Sequence, residues 1–131
     1  MSENLEKVKN YLLDLDLKIT HEDEVEELVI VEDLDSGISN LMIDCEAPIV
    51  IFEQHIMPVP HEPGDLYKRL LQINRTLVHG AFVLDEEAKN VFFRDTLQLE
   101  NLDFNELEGT ISALSLAMAE NADELLKFAK K

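Results

Sequence analysis

A chain of 131 residues with 46% hydrophobic and 30% charged content is sized for one globular domain, able to bury roughly two-thirds of the surface its unfolded form exposes. Eleven Lys and Arg against 28 Asp and Glu give a formal charge of -17, a field that disfavours nucleic acid and anionic membranes as partners and admits basic proteins. The single cysteine, Cys45, leaves no intramolecular disulfide framework; with no basic-then-apolar leader and no run of about 18 to 20 apolar residues, a cytoplasmic location is expected.

Leu5, Val8, Leu12 and Leu15 recur at helical spacing, with Tyr11 widening the apolar side, which predicts an amphipathic helix from about Glu3 to Leu15. His21 to Glu27 reads as an acidic segment leading into Leu28-Val-Ile-Val-Glu-Asp33, a β-branched run expected to be a strand. Asp35, Ser36 and Gly37 supply a turn, and Asn40 to Cys45 alternates Leu41, Ile43 and Cys45 with Asn40, Met42 and Asp44 as a half-buried strand does. Ala47-Pro48 breaks that strand. The run from Ile49 to Met57 makes a third strand, before Pro58, Pro60 and Pro63 forbid ladder pairing. Three strands joined by short turns predict an antiparallel meander.

Asp65 is placed to cap a second helix carrying Leu66, Leu70, Ile73 and Leu77 on one face, with Gly80 as its stop. A hairpin follows, Ala81 to Asp85 and Asn90 to Leu99 around a polar loop. In its second strand Val91, Phe93, Leu97 and Leu99 share one face with Asp95, while Phe92, Arg94, Thr96 and Gln98 share the other. Asp103 with Glu106 forms a capping-box pattern between Leu102 and Leu107 and opens a last helix to about Phe128. Leu107, Ile111, Leu114, Met118 and Leu125 form its stripe, and Lys127, Lys130 and Lys131 suit the negative end of its dipole. The expected fold class is α+β, one domain over residues 1–131 in the order α-β-β-β-α-β-β-α, with an antiparallel sheet packed against helices.

Few residues carry catalytic or ligating potential. Glu53, His55, His61 and Glu62 mix imidazole and carboxylate donors, but strand and proline-rich loop do not fix them at metal-ligand spacing. Cys45 with His55 or His79 is a conceivable thiol and base, set against the commoner role of a lone cysteine as a small buried apolar residue. Asp95 on an apolar face needs a partner or water, as a structural pair or as a general acid or base. Phe92 and Met42 sit on the polar sides of their strands, so either a further layer covers them or a partner does.

The segments Leu70-Leu-Gln-Ile-Asn74, Gly80-Ala-Phe-Val-Leu-Asp85, Phe93-Arg-Asp-Thr-Leu97 and Leu102 to Glu108 resemble the small acidic type III secretion chaperones of the Tir-chaperone kind and, more closely, the YbjN-like proteins. That resemblance implies a non-enzymatic homodimer of α+β subunits, without a cofactor, which binds an extended segment of a client protein along a sheet edge and in apolar grooves. The regions it carries over are the second helix, with Leu70 and Ile73, and the strand faces bearing Met42, Phe82 and Phe92. The alternative from another class is a small enzyme or metal-binding protein using Asp95 or Glu53, His55 and His61.

Overall fold

The computed structural model describes residues 3–130. Helix α1 spans Glu3–Asp14; strands β1 Lys18–Asp23, β2 Leu28–Asp33, β3 Ile38–Glu46 and β4 Ile49–Pro58 follow, then helix α2 Leu66–Asn74, strands β5 Ala81–Leu84 and β6 Asn90–Gln98, and helix α3 Phe104–Ala129. The strands form one sheet in the order β1-β2-β3-β4-β6-β5, antiparallel at every pairing. The expected α+β domain is therefore present, with three helices and a meander joined to a hairpin.

The sheet has one strand more than its apolar runs announce. In β1, Lys-Ile-Thr-His-Glu-Asp, only Ile19 packs against the core, while Glu22 reaches Lys9 of α1 at 3.0 Å. A charged outer strand with a register shift between Ile19 and His21 is a common way to keep a sheet edge from pairing with other chains, and it erases the alternation that marks a strand in sequence.

Period-two alternation divides the sheet into two faces. Val29, Val31, Leu41, Ile43, Val50, Phe52, Val91 and Phe93 point to one face and are fully buried against Leu5, Val8 and Leu12 of α1, Leu66 and Ile73 of α2, and Leu107 and Leu114 of α3. All three helices thus contribute to one core on one side of the sheet. Gln54 is buried there too, and is satisfied by accepting from Ser39 N at 3.0 Å and donating to Gly37 O at 3.1 Å. Arg69 of α2 pairs with Glu124 of α3.

The helix ends follow local chemistry. Asp103 accepts from Glu106 N at 2.8 Å and Glu106 returns the bond to Asp103 N, so the capping box is complete. Lys127 lies in the last turn of α3, and Lys131 is outside the described residues. Asp65 stands at the cap position of α2, yet its backbone carbonyl takes the bond from Arg69 N and its side chain caps nothing. The expected stop at Gly80 is also corrected. Helix α2 ends at Asn74, because Thr76 turns its amide and hydroxyl onto Ile73 O at 2.8 and 2.7 Å and closes the last turn early. Gly80 instead carries a positive φ of 75° where the chain enters β5 over the ring of Phe93.

Candidate functional site

Asp95, Glu53 and His55 are each engaged structurally. Asp95 turns toward the helices, where its Oδ2 accepts the hydroxyl of buried Thr110 of α3 at 2.7 Å and its Oδ1 accepts Thr96 N at 2.9 Å. Glu53 pairs with Arg94 across β4 and β6. His55 Nε2 lies 2.8 Å from Asn90 Oδ1, with its ring edge-on to Phe92 at 5.4 Å. His61 and Glu62 are exposed in the loop after β4, and among the described residues no three His, Cys, Asp or Glu side chains converge to hold a metal. Cys45 is buried; loss of solvent, then the nearby charges of Glu27 and Asp44, push its thiol up to about 11. His55 lies exposed beyond Val50, the Cα partner of Cys45, while the ring of His79 stands over Gly109 of α3. Neither imidazole is placed as a base for the buried thiol.

The second face of the sheet has a different character. Its residues lie in rows across the strands: Asp23, Leu28, Asp44, Ile51 and Thr96 in one, and His21, Ile30, Met42, Glu53 and Arg94 in the next. His55, Phe92 and Val83 make a third row toward β5, and Glu46, Ile49 and Gln98 a fourth at the other end. Leu28, Ile30, Met42, Ile49, Ile51, Phe92 and Val83 are half-buried by their neighbours, yet none belongs to the core beneath the helices. They form an apolar field in the middle of a sheet face that no helix of the described chain covers.

Within that field stands a carboxylate. Asp44 lies between Leu28 and Ile51 across the strands, and partial burial followed by the charge and hydrogen bond of Glu46, with Glu26 and Glu27 beyond, raises its carboxyl to about 6. Asp44 Oδ1 and Glu27 Oε1 are shielded from solvent and have no hydrogen-bond partner among the described residues.

A second apolar surface lies at the β5 end. Tyr67, Leu70 and Leu71 of α2 and Phe82, Val83 and Leu84 of β5 line a groove of about 280 Å³. Leu71 at its rim is 72% exposed, and Tyr67 and Leu84 are 37% exposed each, a concentration of large apolar surface that favours burial against something. The two sheet edges beside these surfaces are unequal. Asn74 accepts from Phe82 N at 2.7 Å and donates to Phe82 O at 3.0 Å, so an amide side chain already occupies the outward backbone of four-residue β5. Among the described residues, no side-chain hydrogen bond of this kind occupies the outer backbone of six-residue β1 at the other edge.

The structure thus distributes the five residues singled out for a partner surface. Met42 and Phe92 stand on the uncovered face, Leu70 and Phe82 form the floor of the α2–β5 groove at 4% exposure each, and Ile73 is core. Ile30, Ile51 and Asp44 were not singled out. A signal for the two isoleucines was present in Val29-Ile-Val31 and Ile49-Val-Ile-Phe52, whose unbroken apolar runs mark strands with both faces apolar.

Comparison with known proteins agrees with this architecture. The CesT_Tir_1 family model matches residues 1–131. YbjN from E. coli superposes with a TM-score of 0.70 at 14% identity, covering 92% of each chain. A chain of the HopA1–SchA chaperone–effector complex gives 0.64 at 14% identity over 89% of this chain and 93% of its own. The structure of the Yersinia pestis type III secretion chaperone SycH with a fragment of YscM2 gives 0.57 at 11% identity, over 88% and 98%. No curated protein matches the sequence.

Proposed function

We propose, since the chain belongs to the CesT_Tir_1 family, that it is a non-enzymatic protein-binding domain, working as a homodimer that holds an extended segment of a client protein. The observation that carries this reading is the apolar field of Leu28, Ile30, Met42, Ile51 and Phe92 on a sheet face that the chain's own helices leave open. A sheet with one covered face normally shows polar residues on the other, so this field of half-buried apolar side chains has the composition of a surface completed by another chain. The groove between α2 and β5, with Leu71, Tyr67 and Leu84 at its rim, is assigned to the second subunit. Asn74 occupies the edge of β5, and the charge and register shift of β1 discourage pairing there, so the client is held by side-chain contacts on the open face rather than by strand addition.

One structural neighbour comes from a chaperone–effector complex and another is a chaperone in complex with a fragment of YscM2, which supports a protein segment as the ligand. A catalytic alternative would need Asp95, Glu53 or His55 free to act, and these are tied to Thr110, Arg94 and Asn90. The reading is tested by capturing partners from native lysate with the full chain and following amide exchange in the complex. Protection over β1 to β4 on partner binding supports it; a reproducible lack of any captured protein sinks it. Sedimentation of the free protein tests the dimer, which a clean 15.0 kDa species would contradict.

A further inference from the structure

We propose that the segment bound on the open sheet face carries a Lys or Arg set among apolar residues, and that this cation docks at Asp44. This rests on the protein-binding reading above and adds the chemistry of the ligand. The apolar field alone would accept any hydrophobic segment; the charge pattern within it is selective. Asp44 is flanked across the strands by Leu28 and Ile51, with Glu26, Glu27 and Glu46 close enough to act on its carboxyl. None of these four carboxylates has an ion-pair partner among the described residues. Two cations of the same face are committed elsewhere, Arg94 to Glu53 and Lys18 to Glu32. Asp44 Oδ1 and Glu27 Oε1 are moreover turned away from water without a hydrogen bond.

An acidic or neutral segment laid over this field would strip the remaining water from these half-buried carboxylates and leave their charge unpaired, which is costly. A Lys or Arg has the complementary anatomy, with an aliphatic stem to lie along Leu28 and Ile51 and a charged end to reach the carboxylates. Selectivity here comes as much from rejecting the wrong segment as from binding the right one.

The test uses three fluorescein-labelled peptides of one apolar-alternating sequence, differing only in a central Lys, Gln or Glu, titrated into the full chain and read by anisotropy. The Lys peptide should bind about tenfold tighter than the Gln peptide at low salt, as one charge-assisted contact implies, and the Glu peptide weakest. Asp44→Asn should erase the Lys preference and leave the Gln peptide unharmed. Glu120→Gln, on the exposed surface of α3, should alter nothing and so separates a local contact from attraction to net charge. Equal binding of Lys and Gln peptides, both weakened by Met42→Asp in a variant shown folded by circular dichroism, overturns this inference and keeps the protein-binding face. Binding indifferent to Met42→Asp removes both, and failure of all three peptides to bind overturns the cation preference.

Discussion

Asp44→Asn should make this protein more stable at neutral pH. The carboxyl of Asp44 is raised from 3.8 to about 6, first by burial and then by the charge and hydrogen bond of Glu46. Because the folded value lies above the unfolded one, the native state holds a proton between about pH 4 and 6 that the unfolded chain has released, and stability falls as pH rises through that window. At about 1.4 kcal/mol per pH unit the full displacement corresponds to about 3 kcal/mol. Asp44 keeps part of its surface in water, which screens these interactions and brings the expected cost to about 1 kcal/mol. The amide has nearly the shape of the protonated acid and no charge to desolvate. Urea midpoints of both proteins from about pH 4 to 8 should therefore converge at the acid end, separate between about pH 4 and 6, and stay apart above that, with the variant the more stable by about 1 kcal/mol. Taking the difference removes the titration of the other carboxylates. A constant gap across the range, or a wild-type protein that is the more stable at pH 8, refutes the embedded-carboxylate account.

Three further outcomes are expected. Asn74→Ala strips both side-chain bonds from Phe82 and should cost about 1 to 3 kcal/mol in urea unfolding, with added self-association in sedimentation as the β5 edge opens. Thr110→Val removes the 2.7 Å bond to Asp95 from a fully buried site and should cost about 1 to 2 kcal/mol, the remaining Thr96 amide and water limiting the loss; no change would mean that Asp95 is held by other contacts. Cys45, with its thiol pushed up to about 11, should react with a disulfide reagent at pH 8 far more slowly in the native protein than in urea, and rapid native labelling would contradict its burial.

Elements with one covered and one wet face were legible in sequence. The capping box at Asp103, the helical stripe of α3, the alternation in β3 and the hairpin of β5 and β6 all place a residue's environment in its own periodicity. Strand β1 was not legible, because an outer strand paired on one side needs only Ile19 in the core, and charge on the rest looks like a loop. The end of α2 was misplaced for a related reason: Gly80 announces a left-handed turn, but which element it serves depends on the ring of Phe93 beneath it. For the surfaces, Met42 and Phe92 stood out as apolar residues in polar company. Asp44 had the opposite disguise, a polar residue in a polar set, and only the register that brings Leu28 and Ile51 to either side reveals it. Cross-strand neighbours are a tertiary fact that no single strand encodes.

The open face of the sheet, rather than any exposed apolar spot, is expected to receive another protein. A photoreactive side chain placed at Met42 or Phe92 and, as control, at exposed Leu116 of α3 tests it in the protein's own cells. Discrete protein adducts from Met42 and Phe92, absent from Leu116, are expected. Equal adducts from all three positions, or adducts from Leu116 alone, would contradict the account.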